Sequence, residues 1–142
     1  MAATYTLYSD PITLEESDWQ GHVGDFTHLV GHSALGLFFL YQPATSEHGI
    51  LYPQRGAFRS YGAMHPREFR EQVLDDPYVQ SVIFEADKVA QLEQLLGPLA
   101  PSEVYIPNPM ELLGGSLALG TYDKGDALVH LMIVAQFQGL GD

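Results

Sequence analysis

The stretch HLVGHSALGLFFLYQPATSEHGILYPQRGAFRSYG, residues 28–62, decides the fold class. Its first fifteen residues are apolar and aromatic, PATSEHG supplies turn formers, and ILYPQ resumes the apolar character before GAFRSYG. A hairpin follows from that order. Residues 35–42 form one strand and 49–53 its partner, with 58–61 as a third strand. Phe38, Phe39, Tyr41, Tyr52 and Phe58 then cover one or both faces of a small sheet, since aromatic and β-branched side chains suit a pleated surface. Pro53 has no amide donor and belongs at a strand end or edge.

Downstream the period changes. In HPREFREQVLDD, residues 65–76, Pro66 stands in the first turn and Phe69, Val73 and Leu74 recur at helical spacing, which predicts a helix ended by Asp75, Asp76 and Pro77. YVQSVIF, 78–84, suits a strand or a lead into the next helix. EADKVAQLEQLLG, 85–97, is helical, with Val89, Leu92, Leu95 and Leu96 on one stripe and Gly97-Pro98 as the stop. Residues 116–122 read as a strand, and DKGDALVHLMIVAQFQG, 123–139, as a C-terminal helix whose core positions are Leu128, Leu131, Met132 and Ala135.

Upstream, residues 1–29 read as a polar lead-in in which Glu15, Glu16 and Asp18 beside Trp19 start a short helix. The expected whole is an α+β domain: a small, mostly antiparallel sheet with a hairpin, packed against three or four helices. One domain spans 1–142, with a β-rich part at 30–64 and helices and loop at 65–137, because no linker-like stretch divides the chain.

Composition narrows the function. Eighteen acidic residues against six Lys and Arg leave a net charge of -12. Such a chain is repelled by nucleic-acid phosphates and anionic lipid and is drawn towards basic proteins. It contains no cysteine, which removes thiolate chemistry and disulfides. With no basic start followed by an apolar run at the N-terminus, and no apolar run long enough to span a bilayer, a cytoplasmic location is expected.

No motif nominates a catalytic, cofactor or metal residue. His28 and His32 stand four apart, but Gly31 and the β-like context oppose a helix and no third ligand is evident. His130 lies among apolar residues without a second positioned group and reads as a packing residue. GHSALG, 31–36, lacks the final glycine of a serine elbow, and its flanking elements are in the wrong order. GGSLALG, 114–120, has neither a phosphate-loop lysine nor dinucleotide-binding spacing. Glu68 with Glu71, and Asp123 with Asp126, sit among polar neighbours where burial would not raise a pKa.

SEVYIPNPMELLGG, 102–115, concentrates Pro107, Pro109, Gly114 and Gly115 among Val104, Tyr105, Ile106, Met110, Leu112 and Leu113. These residues make a rigid, buried connection without invoking catalysis.

The run LLGPLAPSEVYIPNPMELLGG followed by HLMIVAQ, 130–136, resembles the C-terminal domain of the Tdi-type type VI secretion immunity proteins. LGLFFLYQ and FREQVLDDPYV, 69–79, look like the same group. The resemblance covers residues 30–137, most firmly 92–136, with a shortened GAD-like part before it. Ile106-Pro107-Asn108-Pro109 departs from the pattern, which usually has an aromatic or apolar residue and a single proline there.

The resemblance implies a bacterial antidote that binds and neutralises a cognate secreted toxin, in the best-known cases a nuclease, by occluding its active site. It brings no enzymatic activity and no cofactor. The expected partner is a toxin with a basic surface, and the expected contacts are the carboxylates Glu47, Asp75, Asp76, Glu85, Asp87, Asp123 and Asp126. The alternative is a regulatory domain that binds a small molecule or peptide, with the hairpin aromatics as its pocket.

Overall fold

The computed structural model describes residues 3–140; the outermost residues of the expected 1–142 span, 1–2 and 141–142, lie outside it. Strands β1 (Tyr5–Thr13), β2 (His28–Ser33), β3 (Phe38–Gln42), β4 (Glu47–Tyr52) and β5 (Ala57–Ala63) form an antiparallel meander in the order 1-2-3-4-5. The expected hairpin is the β3–β4 pair, with Phe38 opposite Leu51 and Gln42 opposite Glu47. The third strand is β5, longer than expected.

The meander is covered on both faces, which explains why residues 37–41 do not alternate in polarity. Phe38 and Leu40 point to a core shared with Trp19, Phe26, Leu29 and the C-terminal helix. Phe39 points the other way, onto Ile50, Phe69, Leu74 and Phe84.

Several expectations are corrected. The polar lead-in contains a strand: β1 pairs with β2 along one edge, and a bulge between Leu7 and Ile12 accommodates Pro11. Residues 14–22 form turns in place of a helix. The helix predicted over 65–76 starts as α1 (Pro66–Phe69), capped by the His65 side chain, and widens into a π-helical turn over Arg70–Leu74. Val79–Ile83 is a second π-helical turn, so 78–84 is no strand. Helix α2 (Ala86–Leu96) forms as expected, but Leu95 is exposed and Val89 and Leu92 carry the packing.

The quoted loop is corrected most. Its first part is strand β6 (Glu103–Pro107), which pairs with β7 (Tyr122–Asp126), so the strand expected at 116–122 lies later and takes residues assigned to the last helix. Residues Leu119–Thr121 are a 3₁₀ turn. Val104 and Tyr105 are buried, whereas Leu113 is exposed.

Helix α3 (Ala127–Phe137) begins where Asp126 Oδ1 accepts a 2.9 Å hydrogen bond from the Val129 amide, an ordinary N-cap. Its buried residues are Ala127, His130, Leu131, Val134 and Ala135, one stripe of three- and four-residue steps. Leu128 and Met132, expected in the core, face outward because the observed stripe is rotated from the expected one. Tyr122, Tyr105, Leu92 and Val89 join α2 to the two-stranded sheet in a separate cluster. No helix among the described residues is long and apolar enough to cross a membrane.

Candidate partner-binding surface

Helix α3 contains no charged residue. With one stripe buried, that composition leaves Val129, Met132, Ile133 and Phe137 on the surface, at 52%, 61%, 38% and 55% exposure, with Leu128 beside them. A helix apolar on all sides is ordinarily enclosed, and an uncovered apolar face of this kind marks an interaction site. Asp123 and Asp126 border it: they line a hollow of about 270 Å³ together with Ile106, Met110, Val129 and Ile133. The arrangement is an apolar centre whose margin carries two carboxylates and one ammonium, Asp123, Asp126 and Lys124, which suits binding of a protein surface.

The expected carboxylates divide into distinct roles. Asp126 is the α3 cap, and Asp123 Oδ1 accepts from the neighbouring Lys124 amide at 2.9 Å. Asp76 Oδ2 accepts from the amides of Tyr78 and Val79 and so starts the second π-helical turn. Asp75 accepts from the Tyr5 hydroxyl at 2.6 Å and stands 3.9 Å from Arg70. Glu47 accepts from the Thr45 hydroxyl at the head of β4. Glu85 and Asp87 open α2, Glu85 with a left-handed backbone (φ 52°) and no capping bond from its side chain. Of the seven, Asp123 and Asp126 adjoin the apolar face. Sequence reasoning passed over Val129, Met132, Ile133 and Phe137, although the absence of charge from residues 127–137 was the available signal.

The histidines are placed by packing. His130 is 5% exposed, and burial lowers its pKa to about 4. Gln54 Oε1 accepts from the Leu112 amide at 2.8 Å, which turns the Gln54 Nε2 towards His130 Nε2 at 3.4 Å. A neutral imidazole accepting there fits the burial.

His32 is buried with Nδ1 2.7 Å from the Tyr8 hydroxyl. Burial raises the Tyr8 pKa, so the phenol stays protonated and donates. The His32 pKa is lowered by burial, opposed by the Glu103 carbonyl and by Asp126. Nε2 has no hydrogen-bond partner among the described residues. His28 lies half-exposed on the same strand with Nδ1 2.7 Å from the Thr27 hydroxyl.

His48 stacks on Phe69, with centroids 4.5 Å apart and planes inclined by 22°, and lies 4.8 Å from the Tyr41 ring. Burial lowers its pKa, the Ser46 carbonyl opposes the shift, and His65 adds to it. Among the described residues, no three histidine or carboxylate side chains are grouped as a metal ion would need.

No protein-family model and no curated protein matches the chain. Among solved structures, it is similar to the crystal structure of Atu4351 from Agrobacterium tumefaciens, with a TM-score of 0.60 and 18% identity over 94% of this chain and 67% of that one. At this identity the likeness is one of fold.

Proposed function

We propose that the chain is an antidote of the Tdi-type immunity kind, binding a cognate secreted toxin in the bacterial cytoplasm and blocking access to its active site. The observation that carries this reading is the apolar outer face of α3 with Asp123 and Asp126 at its margin. The occupant it fits is a toxin domain with an apolar patch framed by basic side chains. Charge complementarity supports that choice: the chain carries a net charge of -12, while a nuclease must present basic groups to phosphate. The residue pattern of 92–136 supports the same reading.

The test is co-expression with toxin-like products of adjacent genes, scored by co-purification and growth rescue. Rescue by the parent chain and its loss with Val129→Asp/Met132→Asp is the expected result. Rescue that is indifferent to those substitutions removes α3 as the contact; absence of both complex and rescue with every candidate removes the antidote reading. A dimer of this chain that disappears in the same variant would instead assign the face to self-association.

A further inference from the structure

A larger hollow lies on another side of His130, where the β2–β3 turn, the segment after β4, the start of α2 and β7 meet. Its volume is about 430 Å³, within the range of roughly 300–1,000 Å³ typical of small-molecule sites. Two of the chain's six Lys and Arg residues, Arg55 and Lys88, line it. In a chain with three acidic residues for every basic one, cations would be expected to find carboxylates. Glu85 and Glu111 border the same cleft, yet the ion pair formed among the described residues is Arg70–Asp75, elsewhere.

Each cleft cation rests against an aromatic ring. Lys88 Nζ is 4.6 Å from the Tyr122 centroid and donates to the Leu117 carbonyl at 3.1 Å; the Arg55 guanidinium carbon is 6.0 Å from the Tyr52 centroid. Contacts with ring faces leave hydrogen-bonding directions of both groups available. The cleft wall also includes the aliphatic Leu35, Leu37, Ile83 and Ile106. The buried His130 and the anchored Gln54 amide lie at the side of the cleft, both neutral.

We propose that this cleft binds a small monocarboxylate with an apolar body, its carboxylate held by Arg55 and Lys88 and its body laid against the tyrosine rings and the aliphatic wall. A guanidinium matches a carboxylate with two parallel hydrogen bonds. Glu85, Glu111 and the negative charge of the whole chain oppose a polyanion such as a nucleoside triphosphate, which restricts the ligand to one negative charge. The cleft shares Ile106, Pro107 and His130 with the hollow beside the outer face of α3 but takes in neither Val129 nor Ile133, and the proposal does not rest on the antidote reading.

The probe is 4-phenylbutyrate, with 4-phenylbutyramide as its uncharged match, titrated into the full chain and followed by amide NMR. Saturable binding of the acid, with shifts at the Gln54 side-chain amide, Lys88 and His130, is expected. The amide should bind at least about tenfold more weakly, a difference of about 1.4 kcal/mol. Arg55→Gln/Lys88→Gln should weaken the acid by a similar factor, whereas Val129→Asp/Met132→Asp should leave it unchanged. Equal binding of acid and amide, or shifts confined to α3, overturns the proposal. That comparison uses the unaltered chain, so it decides the matter even if the double glutamine variant does not fold; in that event the exposed Arg55→Gln alone supplies the variant arm.

Discussion

The indole Nε1 of Trp19 donates a buried 3.0 Å hydrogen bond to the carbonyl oxygen of Leu131. The bond joins a turn near the N-terminus to the middle of α3, 112 residues later. Around it the Trp19 ring, 2% exposed, joins the same cluster as Phe26, Phe38 and Val134. The N-terminal segment therefore holds the helix that presents the apolar face.

Trp19→Phe should lower stability by about 0.5–1.5 kcal/mol, since the Leu131 carbonyl loses one donor but remains within the helix. Trp19→Ala should lower it by about 3–5 kcal/mol through the cavity it leaves. Urea unfolding measures both, and a Trp19→Phe variant as stable as the parent would refute a contribution from the indole bond.

Stability should fall on mild acidification. His32, His48 and His130 all have folded pKa values below the ordinary 6.5, with burial as the first cause. Above pH 6.5 both folded and unfolded chains hold them neutral. Below it the unfolded chain binds protons that the folded chain refuses, so stability present above 6.5 is lost as the pH falls through the folded values, about 4 for His130. NMR titration should show these three imidazoles resisting protonation, and urea midpoints should decline between pH 6.5 and 4; ordinary titration of all three would contradict the assignment.

Adjacent glycines at the end of the 102–115 stretch have different duties. Gly114 has φ +86° with open space where a Cβ would go, so Gly114→Ala should cost only the left-handed penalty of about 1–2 kcal/mol. At Gly115 a Cβ would overlap the Pro109 carbonyl oxygen, a backbone atom, and Gly115→Ala should cost about 3 kcal/mol or more. Thermal unfolding of the two variants should rank them in that order.

Met132→Glu should leave stability within about 0.5 kcal/mol of the parent, because Met132 is 61% exposed and buries little. Leu131→Glu, one residue earlier and 4% exposed, should prevent folding by placing a charge in the core. Circular dichroism and thermal unfolding distinguish the pair; comparable damage from both would mean that the outer face of α3 is covered.

Local chemistry made parts of this molecule legible in advance. The β3–β4 hairpin was readable because turn residues separate two apolar runs, α2 because its stripe ends at Gly97-Pro98, and the packing role of His130 because its neighbours are apolar. The charge balance, which limits the kinds of partner, is a property of composition. Tertiary structure decided the rest. Strand β1 is polar and bulged, and β6 and β7 are short, so their identity comes from hydrogen bonds to distant strands. Helix α3 is apolar on every side, so its periodicity could not say which face the sheet would cover, and the charged margin and the cleft cations come from segments that only folding brings together. A sequence specifies local preferences and net charge directly, whereas exposure and proximity are outcomes of packing among residues far apart in the chain.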